Sequence, residues 1–223
     1  MILSFPDVIT ADEQRAILAQ VSAAEFVDGR ETASSLLAER KNNQQLQRGS
    51  AALQIITDML LAALRRHDGF CRAVYPKQLH SLLVSRYRAG MHYGPHVDRA
   101  LMGDATLWRT DLSLTLFLNE PDAYDGGELA LESGSGVFKV KLPARALVCY
   151  PTGQVHQVLP VSRGERLVVV AWIQSHVREA HAREVLCDLA TALELMRTQG
   201  AQGAASDLIN KTHANLLRRW AEP

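Results

Sequence analysis

The sequence predicts an α+β fold with a mainly β core. Three observations carry that prediction: helical periodicity near the N-terminus, a central run of short apolar segments broken by Gly, Pro and Asp, and a return to helical periodicity after about His176. Thr10-Ala11-Asp12-Glu13 is a capping-box pattern, with a hydroxyl and a carboxylate placed to satisfy the free N–H groups of a helix running to about Ala23. A second helix is expected from about Ser50 to His67, where Leu53, Ile56, Met59, Leu60 and Leu64 recur at helical spacing, and Asp68-Gly69 is expected to end it. The polar stretch Glu39 to Gln45 between them reads as a solvated loop or as a loop carrying binding groups.

From about Gln78 to Gln174 the expected strands are Leu82–Val84, Leu112–Leu118, Glu128–Leu131, Val137–Val140, Ala146–Tyr150, Val155–Leu159 and Leu167–Ile173. Short strands at this spacing argue for a sandwich or barrel. Asp125-Gly126-Gly127 signals a turn before a strand, and Ser162-Arg163-Gly164-Glu165 a hairpin loop. In the tail, Val185, Leu189, Leu193 and Met196 form one helical stripe and Ile209, Leu216 and Trp220 another, with Gln199 to Gly203 between them. The expected organisation is a main domain over 1–176 and a helical extension over 177–223, packed on the sheet or on a second subunit as a homodimer contact.

A chain of 223 residues with 47% hydrophobic and 22% charged side chains is long enough for one sizeable core. Its formal net charge of zero supplies no long-range attraction to nucleic acid or an anionic membrane, and neither is an expected partner. Cys71, Cys149 and Cys187 are odd in number, widely spaced and without a CxxC pair, which suits a reducing cytoplasm. The first residues lack a basic segment followed by an apolar one, so neither secretion nor membrane insertion is expected. A Gly-rich phosphate loop and a GxSxG elbow are both absent, which argues against nucleotide and serine hydrolysis.

The chemistry-bearing constellation is His96-Val97-Asp98, followed by His156 and then Arg166. A lone HxD is weak evidence, but in a strand residues i and i+2 share a face, so His96 and Asp98 can converge on one ion while Val97 points away. His156 follows a Gly-containing turn and can bring a third ligand from a distant part of the chain. Two imidazoles and one carboxylate form a facial triad that leaves coordination positions open on Fe(II), although Zn or Mn chemistry and a non-catalytic metal sensor use similar donors. Arg166 opens the very apolar run Leu167 to Trp172, where a guanidinium needs a partner. Its planar fork suits a carboxylate, so a dicarboxylic cosubstrate could chelate the metal at one end and dock on Arg166 at the other. By alternation Arg166, Val168, Val170 and Trp172 share a face, and an odd loop or bulge is expected between His156 and Arg166 so that both point inward. Asp111, Ser113 and Thr115 likewise form a polar strand face able to support the ligands. Tyr93, Trp108, Arg86 and Arg88 are candidates for shaping a substrate channel.

Tyr87 to Asp98, Asp111-Leu112-Ser113 leading to Phe117-Leu118-Asn119, Gly126-Gly127-Glu128-Leu129, and His156 with Arg166 occur in the order seen in Fe(II)/2-oxoglutarate dioxygenases. Together with Lys41 to Leu46, the chain resembles the PKHD-type hydroxylases of the prolyl-4-hydroxylase-like group. The resemblance implies a double-stranded β-helix (jelly-roll, cupin-like) with N-terminal helices on the sheet. It implies that His96, Asp98 and His156 bind Fe(II), that Arg166 binds the distal carboxylate of 2-oxoglutarate, and that Tyr87 lies near that cosubstrate. The implied reaction consumes O2 and 2-oxoglutarate, releases succinate and CO2, and hydroxylates a peptidyl or small-molecule substrate, with ascorbate (vitamin C) as an auxiliary reductant. An association with bacterial iron uptake also follows from the resemblance alone.

Overall fold

The computed structural model describes residues 1–33, 35–103, 106–201 and 203–222. β1 (Leu3–Phe5), α1 (Ala11–Ala23) and β2 (Phe26–Asp28) are followed by a 3-10 turn (Gly29–Thr32), α2 (Ser35–Ala38), β3 (Lys41–Asn42) and β4 (Gln44–Leu46). Then come α3 (Ala51–Arg66), α4 (Asp68–Val74), β5 (Pro76–Arg88), β6 (His92–His96), β7 (Leu101–Met102), β8 (Trp108–Arg109) and β9 (Leu112–Phe117). β10 (Tyr124–Gly126), β11 (Leu129–Ser133), β12 (Gly136–Val140), β13 (Leu147–Pro151), β14 (His156–Val158) and β15 (Val161–Ser175) complete the strands. α5 (Ala180–Thr198) and α6 (Ala204–Trp220) close the chain.

Two antiparallel sheets face each other as a double-stranded β-helix. The larger runs β1-β13-β9-β15-β5-β4-β2, with β10 on the early part of β15, and the smaller runs β12-β11-β14-β6-β3. Alternation in the central strands of the larger sheet gives it two apolar faces. Leu112, Leu114, Leu116, Leu167, Val169, Ala171 and Ile173 point outward and pack under Ile17 of α1, Ile56 and Leu60 of α3, and Phe70 of α4. Phe117, Val148, Tyr150 and Val168 point inward against Leu129, Leu131 and Val140 of the smaller sheet. Each fully buried Leu or Val contributes about 1.5–3 kcal/mol, so the helix layer stabilises the sheet that carries the site.

Local chemistry explains the helices. Thr10 and Glu13 form the expected capping box, and Ser50 caps α3. Asp68-Gly69 does not end the helical region. The chain bends at His67, whose side chain accepts from the Phe70 N–H and starts α4, and the left-handed Tyr75 ends it.

Two further expectations are corrected. There is no hairpin loop at Ser162–Glu165: β15 runs through it, with Gly164 at φ 74° opposite Tyr124. His156 and Arg166 lie on strands of different sheets, joined by a crossing at Leu159-Pro160, and the irregularity expected between them is present as bulges: the register shifts between His156 and Val158, and again where Asp125-Gly126 meets Arg163 and Val161. In α5 the buried apolar face is Ala182, Leu186 and Ala190, one position away from the predicted stripe, because this helix contacts both α4 and α6. Tyr75 Oη and His213 Nε2 lie 2.8 Å apart, and Arg109 donates to Glu222 at 2.7 Å, tying the tail to the body. Gln202, in the segment expected to separate these helices, lies outside the described residues.

Candidate active site

Antiparallel register places His156 of β14 directly opposite His96 at the end of β6. Strand β6 stops there, so Asp98 lies just past the strand rather than within it, and Val97, expected to point away, is exposed yet lines the same cavity as both histidines. The ligand atoms of His96, Asp98 and His156 all lie within 4.8 Å of one another. His96 Nε2 is 3.7 Å from Asp98 Oδ1, and His156 Nε2 is 3.6 Å from Asp98 Oδ2.

Both imidazoles are oriented from behind. His96 Nδ1 donates to Gly94 O and His156 Nδ1 to Gln154 O, each at 2.9 Å. A carbonyl oxygen only accepts, so each ring carries its hydrogen on Nδ1 and turns the Nε2 lone pair toward the carboxylate. Burial, with His156 adding, pushes the His96 imidazolium down to about 4, so the ring is neutral near pH 7. Tyr93 stacks on His96 with centroids 3.7 Å apart, and Tyr150 meets His156 edge-on at 5.1 Å. Ser113 Oγ and Trp172 Nε1 both donate to Asp98 Oδ2, at 2.7 and 2.8 Å. Two imidazoles oriented with Nε2 inward and one braced carboxylate fit a divalent first-row metal.

The cluster opens into a cavity of about 330 Å³ that also holds Arg166. Arg166 is 2% exposed, its guanidinium carbon lies 5.2 Å from the Tyr87 ring centroid and 5.5 Å from that of Phe117, and its Nε has no partner. Tyr87 is its cross-strand neighbour on β5, and burial raises the Tyr87 phenol above its ordinary range. No acidic side chain pairs with Arg166 among the described residues. A buried guanidinium without a carboxylate calls for an anionic ligand. Gly127, at φ 67°, makes room for it: a Cβ there would stand 3.1 Å from Arg166 Cδ and 2.9 Å from Val161 Cγ2.

The shared inward face of Arg166, Val170 and Trp172 is as expected; of the predicted polar strand face, Thr115 lines the cavity and Ser113 donates to Asp98, whereas Asp111 accepts from Arg109 and the Ser175 N–H. Of the channel candidates, Tyr93 lines the cavity, whereas Arg86 is engaged by Gln44 and Phe26, and Arg88 by Glu165. Trp108 does not line it. Lys41 and Gln45 line it as well, in the Glu39 to Gln45 stretch that read either as a solvated loop or as one carrying binding groups, and which forms two short strands, β3 in one sheet and β4 in the other; Thr32, from the preceding 3-10 turn, also lines it and had no signal in the sequence.

This fold and site define a non-haem oxygenase, and residues 82–174 match the 2OG-Fe(II) oxygenase superfamily. A PKHD-type hydroxylase of Synechococcus sp. is 48% identical over 223 residues, covering 100% of both chains, and one of Acaryochloris marina is 45% identical over 222 residues with the same coverage. The chain belongs to the PKHD-type hydroxylases. Among solved structures, a Pseudomonas putida prolyl-4-hydroxylase superposes with a TM-score of 0.53 at 26% identity, covering 78% of this chain and 92% of that one. Membership makes the protein an oxygenase of the class that uses Fe(II), 2-oxoglutarate and O2.

Proposed function

We propose that this enzyme hydroxylates a C–H bond of a peptidyl or small-molecule substrate, with His96, Asp98 and His156 holding Fe(II) and Arg166 holding the distal carboxylate of 2-oxoglutarate. The observation that carries the reading is the buried Arg166 guanidinium, without an acidic partner among the described residues, in the same cavity as the two-histidine, one-carboxylate cluster. Bound Fe(II) supplies activation of O2 coupled to decarboxylation of the 2-oxo acid. The balance is substrate R–H, O2 and 2-oxoglutarate in, and R–OH, succinate and CO2 out.

The chain's own contribution is order. The Nδ1 hydrogen bonds keep both Nε2 lone pairs available, and the Ser113 and Trp172 donors hold Asp98 in one rotamer. Arg166 forms a charge-assisted fork with the cosubstrate's distal carboxylate and, with Tyr87 beside it, sets how far the 2-oxo end reaches. Leu83, Leu129, Val158 and Val170 line the cavity with apolar surface, excluding water and strengthening each electrostatic contact inside. Ascorbate would act only as an external reductant restoring Fe(II). An isomerase on a similar metal site would have no use for a buried guanidinium facing the ligands.

An anaerobic titration with Fe(II) and then 2-oxoglutarate tests the assignment. A visible charge-transfer band should form and then decay on O2 addition with release of succinate. Iron binding without the band would remove Arg166 from its role.

A further inference from the structure

The cavity contains a second buried cation that the triad and Arg166 leave unused. Lys41, on β3 in the smaller sheet, is 6% exposed. Its Nζ donates to Thr32 Oγ1 at 2.7 Å and lies 4.9 Å from the Tyr93 ring centroid. An ammonium has three donors, and the other two find no acceptor among the described residues. Lys41 forms no ion pair there either. The wall around it is held in place: Thr32 Oγ1 lies 2.7 Å from Gln45 Oε1, and Gln45 Nε2 lies 3.4 Å from Ser85 Oγ. All four residues line the cavity.

The charge balance of the lining points the same way. Lys41, Arg48, Arg99 and Arg166 are cationic, and Asp98 is the one acidic side chain facing them among the described residues. Asp98 Oδ2 is already engaged by Ser113 and Trp172. Burial, with Arg48 nearby, draws the Lys41 ammonium down to about 8. A desolvated cation held near other cations is costly unless an anion joins it. Arg166 accounts for one anionic group, the cosubstrate's. Lys41 is not its strand neighbour and lies in the other sheet.

We infer that Lys41 is a specificity-determining residue that reads an oxyanion, a carboxylate or a phosphate, on the primary substrate. The inference rests on the oxygenase reading above and deepens it: the substrate carries an acidic group. Arg48 and Arg99, exposed at the cavity mouth, add to the field that draws such a substrate in.

The test uses the full chain with Mn(II), which supports no turnover, and saturating 2-oxoglutarate, and reads paramagnetic broadening of probe resonances by NMR. Three probes are compared: N-acetyl-L-glutamate, its neutral diamide, and inorganic phosphate, the last followed by its phosphorus signal. At least one anion should broaden saturably while the diamide does not, and which anion does so separates a carboxylate from a phosphate substrate. Lys41→Met should weaken that binding at least about tenfold, the loss of one charge-assisted contact, while broadening of 2-oxoglutarate persists. Lys41→Gln, with its own thermal melt, guards against a folding defect in the first variant. Failure of both anions to bind the wild type, equal binding of the diamide, displacement of 2-oxoglutarate by the probe, or unchanged anion binding in both folded variants would each overturn the inference. Absence of 2-oxoglutarate broadening in the wild type would sink the cosubstrate reading, and this inference with it.

Discussion

Trp172 Nε1 donates to Asp98 Oδ2 at 2.8 Å, joining the middle of β15 to the carboxylate of the metal cluster. With Ser113 on the same oxygen, the bond settles which face of Asp98 remains for a cation. Trp172→Phe keeps most of the buried ring and deletes the donor. Fe(II) affinity should fall about tenfold or more, in line with other partners that orient a ligand, with an unchanged circular dichroism spectrum. An affinity equal to wild type by competition with a metal indicator would mean that Ser113 alone suffices.

Arg166→Ala should raise the 2-oxoglutarate dissociation constant by about a hundredfold or more, the scale for truncating one partner of a buried charge pair. Fe(II) binding should persist, because the guanidinium touches none of the three ligands among the described contacts. Lys in its place should not rescue, since a point charge lacks the planar fork. Calorimetric titrations of Fe(II) and of 2-oxoglutarate separate the two effects.

His156→Ala and His96→Ala should each weaken Fe(II) binding strongly, and chelation of the metal from the wild type should erase 2-oxoglutarate-dependent O2 consumption in an oxygen-electrode assay. Retention of full metal affinity by either variant would take that histidine out of the ligand set.

Gly127→Ala forces a Cβ into a left-handed backbone position and against Arg166 Cδ and Val161. Strain and overpacking of this kind cost about 1–3 kcal/mol. A lower melting temperature should therefore accompany a weaker affinity for 2-oxoglutarate. Lower stability with cosubstrate affinity intact would show that Arg166 can move aside.

Arg66 of α3 pairs with Glu13 of α1, which also closes the Thr10 capping box. The Arg66 guanidinium holds the Glu13 carboxyl below its usual value of 4.5. A lowered folded value stabilises above the unfolded value, and the gain is lost as pH falls through the folded one. The pair is partly exposed, so Arg66→Ala should cost only about 0.2–1 kcal/mol at neutral pH. That difference should shrink as pH falls below 4.5, as chemical denaturation at several pH values would show.

The candidate cluster of His96, Asp98 and His156 with Arg166, which the fold gathers in one cavity, was legible in the sequence because few side-chain types suit binding iron or forking onto a carboxylate. α1 and α3 were legible because caps and a 3.6-residue period are local properties, written within a few residues of Thr10 and Ser50. α4 was not, since Asp68-Gly69 carries the signature of a helix end and only the His67 side chain restarts the helix. The polarity of Glu39 to Gln45 left a solvated loop and a binding loop equally open in the sequence. In the folded protein Lys41, Asn43 and Gln45 are buried, their polarity directed inward rather than at solvent.

By itself the sequence determined the alternation of helical and β segments, the candidate metal-ligating side chains and the presence of one apolar strand opening with an arginine. Tertiary structure alone decided that His156 and Arg166 reach the cavity from opposite sheets, that Trp172 and Ser113 share one oxygen of Asp98, and that Lys41 stands as a second buried cation in the same cavity, with no acidic partner among the described residues. The division is physical. Periodicity and residue chemistry act over a few residues, whereas sheet assignment and the desolvation of a charge depend on segments brought together by burial of the whole core.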